Sequence, residues 1–185
     1  MLRLLSWTPL TTSLLLRVST TLPGEPFTNE RRLRERLQAL AAAGFVRRYS
    51  AAQAKGGLQN YYKLAPNGWH TLHGSDVALP PKAFFAEISP SLFEHTLTLA
   101  EVIAAVIVAA HVHRVTILNV FRENELTFAV GDRQIQPDCF MRFSIAGKNF
   151  SVAFEVDLST ESVNSNSQQS LRRKLQTYDA YQSFL

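Results

Sequence analysis

Acidic residues gather in the last third of the chain at spacings that suit work on a phosphate. Asp138 follows Pro137, Glu155 and Asp157 alternate in Phe154-Glu155-Val156-Asp157, and Lys174 and Tyr178 follow four residues apart. Read as a strand, residues 151–158 turn Val152, Phe154, Val156 and Leu158 to one side and Ser151, Ala153, Glu155 and Asp157 to the other. The two-residue rise then sets Glu155 and Asp157 roughly 7 Å apart on one face. Asp138 comes from the neighbouring strand, with its approach fixed by the restricted backbone of Pro137. Hard carboxylate oxygens are ligands for magnesium, which keeps several waters and bridges to phosphate. Such a metal activates water and neutralises charge on a scissile phosphate. Asp138, Glu155 and Asp157 are therefore the candidate metal ligands, with magnesium as the candidate cofactor. Together with Lys174 and Tyr178 they form the candidate catalytic set.

A helix over residues 170–185 has to deliver the lysine. Leu171, Lys174, Leu175, Tyr178, Gln182 and Leu185 share one face at helical spacing. Lys174 and Tyr178 thus point inward with the leucines, while Arg172 and Arg173 point elsewhere, where they would meet phosphates. An inward lysine beside the acids either pairs with a carboxylate or stabilises a phosphorane. A plainer account uses the same residues: acids on an alternating strand form its solvated face, and Lys174 snorkels past apolar neighbours. Glu94 and Glu101, two helical turns apart, read as surface carboxylates of a long helix. His95, His111 and His113 lack the spacing of a helical metal pair. Cys139 is the single cysteine, which excludes an internal disulfide and a cysteine-based zinc site and fits a reducing cytoplasm.

The elements that must position this set begin with a helix over 91–113. Strands follow over 115–121 and 126–130, joined by a turn at 122–125, then over 134–143 and 150–158, joined at 146–149. Residues 159–169 are polar and aperiodic, as in a loop. A last helix leaves a crossover with no returning strand, so the expectation is a chain shorter than a complete domain.

The first third reads differently. Residues 1–18 form two short helical pieces broken at Thr8-Pro9, where Thr8 is placed to cap. Residues 29–43 form a helix capped by Thr28 or Asn29 and stopped by Gly44, with Leu33, Leu37 and Leu40 on its buried face. Strands over 45–50 and 61–64 flank the turn signal Lys55-Gly56-Gly57. Tyr61 and Tyr62 are expected to pack this hairpin with one of them facing out, and Pro66-Asn67-Gly68 to end the unit. This order is that of a winged helix-turn-helix. Seven Lys/Arg and two Glu lie between Glu30 and Lys55. Arg31, Arg34 and Gln38 are placed to touch bases or phosphates in a major groove, and Arg47, Arg48 and Lys55 to hold the backbone beside it. Double-stranded DNA is the expected partner. An arginine-rich helix also fits a simple solvated face, and winged helices mediate protein contacts as well.

Bulk properties agree with a folded chain that has room for one large domain or two small ones. The 185 residues are 46% hydrophobic and 18% charged, with a net charge of +4. A sequence pI of about 9.5 permits nucleic acid as a partner without requiring it. The leucine-rich start is interrupted by Trp7-Thr8-Pro9 and Arg17, against a signal peptide. The apolar run 102–110 falls short of a spanning helix and reads as buried, so no membrane is expected. The fold expectation is α+β (or α/β): a winged helix-turn-helix over 1–73, a proline-rich linker over 74–90 and a small αβ domain over 91–185.

Both halves resemble one family. Arg32-Leu33 with Leu37 and Gly44-Phe45-Val46, then Tyr62-x-Leu64-x-Pro66-x-Gly68, Glu94-His95-x-Leu97, Pro137-Asp138, Phe154-Glu155-Val156-Asp157-x-x-Thr160-Glu161 and Lys174-x-x-x-Tyr178 resemble bacterial replication-relaxation proteins, linked to plasmids and mobile elements. The resemblance covers nearly the whole chain. Its C-terminal half looks like the restriction-endonuclease-like superfamily, whose pattern is Pro-Asp followed by Glu or Asp, one residue, and Lys. Asp157 stands where that lysine is expected, and Lys174 would replace it from the following helix. The resemblance implies a DNA-binding protein of plasmid or mobile-element replication or mobilisation. Its nuclease-like domain would be either silent or an active magnesium-dependent endonuclease, and a relaxase or replication initiator would be a further partner.

Overall fold

The computed structural model describes residues 1–24, 26–52, 57–123, 125–131, 133–158 and 170–184. Lys55, Thr160, Glu161 and the expected loop 159–169 lie outside the described residues. The fold is α+β, with seven helices and three small antiparallel sheets among the described residues. It divides into compact units of residues 1–115 and 116–185.

In the first unit, α1 (Leu2–Trp7) and α2 (Thr12–Ser19) flank a two-residue strand, β1 (Leu10–Thr11). A strand thus follows the break at Thr8-Pro9, and the cap of α2 is Thr11 rather than Thr8, its side chain accepting from the Leu14 N–H. Helix α3 (Glu30–Ala42) starts at Asn29, which accepts from the Arg32 N–H, and buries Leu33 and Leu37 completely. Strands β2 (Val46–Ala52) and β3 (Leu58–Leu64) pair antiparallel from Val46↔Leu64 to Ala52↔Leu58. β1 joins the other side of β3 through Leu10↔Tyr62 and Thr11↔Tyr61. β3 is thus a central strand, and Tyr61 and Tyr62 are both buried, where one was expected outside.

Pro66 opens a helix instead of closing the unit. It occupies the first turn of α4 (Pro66–His73), where a missing N–H costs nothing. Gly68 lets this helix lie against the β2 entry: a Cβ there would stand 2.2 Å from the Phe45 carbonyl oxygen and 2.7 Å from a Leu64 methyl.

The stretch expected as a linker is bound to the sheet. It carries α5 (Lys82–Phe85), and Phe85 is buried. The Tyr49 hydroxyl donates to the Phe85 carbonyl at 2.6 Å, Lys63 Nζ to the Ala86 carbonyl at 2.6 Å, and the Ile88 N–H to the Tyr61 hydroxyl at 2.9 Å. These residues alternate along paired strands, so one face of the sheet holds this segment, and that satisfies a buried lysine as well.

Helix α6 (Pro90–Val112) follows, packing on α2 and setting the Phe93 ring tilted against Tyr61 with ring centres 5.6 Å apart. Its apolar character extends beyond 102–110: with 23 residues and a window of mean hydropathy 1.7, it is long and apolar enough to cross a membrane by length and composition.

The second unit holds β4 (Thr116–Arg122), β5 (Phe128–Val130), β6 (Arg133–Ile135), β7 (Cys139–Ile145), β8 (Lys148–Phe154) and α7 (Leu171–Phe184). The run 134–143 is not one strand, because Gln136-Pro137-Asp138 breaks it. β5 pairs with β6, while β4 crosses to pair with β7, giving the order β4-β7-β8. β7 and β8 close on a two-residue turn, Ala146-Gly147, with φ of 49° and 78° as a type I′ hairpin requires. The apolar face of this sheet is anchored by Cys139, Met141 and Phe143.

Candidate functional site

β8 ends at Phe154, so Glu155 and Asp157 lie just past the strand and not within it. Cys139 pairs with Phe154, which sets Asp138 beside Glu155 at the mouth of the β7–β8 pair. Asp138 Oδ2 accepts from the Val156 N–H at 2.7 Å, tying the two chain segments together where the ladder stops.

Helix α7 reaches the same point. Ser170 Oγ accepts from the Arg173 N–H at its start. Lys174 Nζ donates to Glu155 Oε2 at 2.9 Å and the Tyr178 hydroxyl donates to Glu155 Oε1 at 2.6 Å. The side chains of Lys174 and Glu155 are only 16% and 21% exposed. Four of the five expected residues, Asp138, Glu155, Lys174 and Tyr178, are therefore gathered at one strand end. Asp157 is exposed, beyond the turn of chain that Asp138 holds.

The inward stripe of α7 departs from the helical-face expectation: Gln182 is exposed, as is Leu175, and Leu185 lies outside the described residues. Leu175 is 67% exposed, whereas Thr177 is buried and donates to the Arg173 carbonyl. Tyr181 completes the stripe, its ring 4.8 Å from that of Phe128, and α7 packs on β5 and β6. Burial, and then the hydrogen bond and charge of Glu155, push the Tyr178 phenol above its ordinary range, so it stays protonated and donating. Burial likewise pushes the Cys139 thiol up to about 12, with the adjacent Asp138 charge adding to it.

A magnesium centre was expected on Asp138, Glu155 and Asp157. Among the described residues no group of three or more His, Cys, Asp or Glu side chains stands close enough to hold a metal ion. Both Glu155 oxygens already accept, one of them from a cation, and one Asp138 oxygen accepts a backbone N–H. In this arrangement the donor set does not fit a three-carboxylate metal centre. Through Glu155, Lys174 and Tyr178 join α7 to the strand end.

In the first unit, Arg31, Arg34 and Gln38 are exposed on one side of α3, with Arg32 and Arg36 exposed beside them. Arg31 pairs with Glu35 and Arg34 with Glu30 one turn away, at the surface, where such pairs are weak and readily exchanged. Arg47 and Arg48 are exposed on β2 and alternate between its faces, with Arg47 reaching the Phe85 carbonyl at 3.5 Å.

The family model for replication-relaxation proteins matches residues 2–184. The chain belongs to the replication-relaxation family. No curated protein and no solved structure gives a match to it. The family match runs through both units, so the arginine face of α3 and the clasp at the β8 end lie inside the replication-relaxation region.

Proposed function

We propose that this replication-relaxation protein binds double-stranded DNA through its first unit, as part of replication or mobilisation of a plasmid or similar element. The observation that carries this reading is the arginine face of α3, with Arg31, Arg34 and Gln38 outward and Leu33 and Leu37 inward, next to the β2–β3 hairpin. The element order from α1 to β3 supports a winged-helix role, with α3 as the helix that enters the major groove. Arg48, and Arg47 after release from Phe85, then reach the phosphate backbone. Binding to duplex DNA is expected to weaken steeply with salt. Arg31→Ala with Arg34→Ala is expected to lower the slope of log affinity against log salt by about two, roughly one per phosphate contact. Absence of duplex binding, or binding indifferent to salt, refutes the reading.

A second reading is supported by one observation, the convergence of Asp138, Glu155 and Lys174 at a single strand end. On this reading the second unit is restriction-endonuclease-like and cleaves DNA with a divalent metal, after Lys174 and Tyr178 release Glu155. Nicking of plasmid in the presence of magnesium or manganese, abolished by Asp138→Ala, would support it. Intact plasmid across divalent metals, with duplex binding retained, leaves a DNA-binding protein whose second unit is structural.

A further inference from the structure

Most of the buried Ser, Thr and Lys side chains of the first unit have partners among the described residues. Ser6, Thr8, Thr11, Ser19 and Lys63 each hydrogen-bond. Thr12, only 9% exposed, has no hydrogen-bond partner for its hydroxyl among the described residues. A hydroxyl with no protein partner, on a residue this buried, is one that folded proteins rarely keep unless water or a ligand meets it.

Thr12 lines a polar recess of about 200 Å³, together with Thr11, Ser13, Glu30, Arg34 and Asn60. The recess sits at the first turn of α2, where the N–H groups of Thr12 and Ser13 have no acceptor within the helix. Thr11 caps Leu14 and its hydroxyl lies 2.9 Å from that of Ser13. Hydroxyls and first-turn N–H groups at the positive end of a helix suit a phosphate. Arg34 supplies a cation, now paired with Glu30 at the surface. Glu30 also sets a condition. A freely diffusing anion meets its carboxylate, whereas a phosphodiester already held along α3 draws Arg34 across to itself.

We propose that this recess is a subsite for one backbone phosphate of a nucleic acid, with the Thr12 and Ser13 hydroxyls donating and Arg34 as the cation. The subsite rests on the DNA-binding reading above and extends it to a buried, uncharged residue. The test uses the full chain with Thr12→Val, which keeps the shape and removes the hydroxyl, and Thr12→Ser, which keeps the hydroxyl. Thr12→Val is expected to weaken duplex binding about tenfold at fixed salt, as for a lost hydrogen bond to a charged group. Its thermal midpoint is expected to hold or rise, because an unpaired buried hydroxyl is gone. Thr12→Ser is expected to bind as the wild type does. Unchanged affinity in Thr12→Val, or a lowered midpoint showing that the hydroxyl is structural, overturns the subsite while leaving DNA binding intact. If the wild type binds no duplex, the DNA reading itself fails. Titration of the Glu30→Gln variant with inorganic phosphate then decides the recess: amide shifts at residues 12–14 keep an anion site, and their absence removes it.

Discussion

Replacing Lys174 by Met tests what the β8-end cluster is for. The stem is kept and the ammonium removed, leaving a Glu155 carboxylate, 21% exposed, with the Tyr178 hydroxyl as its remaining side-chain donor. Breaking a fully buried ion pair from one side costs about 3–5 kcal/mol. The residual exposure of both side chains screens the pair, so about 2–3 kcal/mol is expected here. Tyr178→Phe removes a hydrogen bond to the same carboxylate, worth about 1.5–2 kcal/mol. The assay is urea unfolding of the full chain by far-UV circular dichroism, with hydrogen exchange over α7 to localise the loss. At about 1–2 kcal/mol per molar urea, the midpoint should fall by roughly 1–3 M in Lys174→Met. In the double variant Glu155→Gln/Lys174→Met the losses should fall short of additive by about 1 kcal/mol or more. Side chains held for chemistry are commonly kept at a cost in stability. A change in Lys174→Met within about 0.5 kcal/mol, or a gain, with additive losses in the double variant, therefore refutes the clasp and favours a site held ready for a substrate.

Other perturbations reach the rest of the molecule. Gly68→Ala drives a methyl into the Phe45 carbonyl and should cost more than about 2 kcal/mol, read as a thermal midpoint lower by about 5 °C or more; an unchanged midpoint would show that α4 does not lie as described. Cys139 is fully buried with its thiol pushed up to about 12, so it should resist a thiol-reactive disulfide reagent at pH 8 and react at once in urea. The native state holds that proton more tightly than the unfolded chain, whose thiol titrates near 9.0, so this contribution is complete below pH 9 and lost as pH rises toward 12. Tyr178, also raised above its ordinary 10.0, steepens the loss beyond pH 10. Unfolding midpoints measured from pH 7 to 11 should be flat and then fall, less steeply in Cys139→Ala.

Local sequence determined the features that depend on one element at a time. Asn29 at the cap, Leu33 and Leu37 inward and Arg31, Arg34 and Gln38 outward follow from helical period and capping chemistry alone. Lys174 and Tyr178 share a face for the same reason, which is why both reach Glu155. Features that depend on what lies opposite were settled only by tertiary structure. A two-residue strand carries no period, so β1 was invisible; its pairing with β3 is what buries Tyr62 as well as Tyr61. Pro66 serves equally as a stop or a first helical turn, and the lack of room around Gly68 shows α4 packed against Phe45 and Leu64. The proline-rich composition of 74–90 reads as a tether, yet Tyr49, Tyr61 and Lys63 offer it partners from a strand face formed far away in sequence. On α7, helical spacing put Leu175 inside, whereas packing on β5 and β6 buries Thr177 instead. Asp138 and Glu155 were legible as neighbours, but the partners of Glu155 were not: Lys174 and Tyr178 both donate to it from α7, a long-range contact.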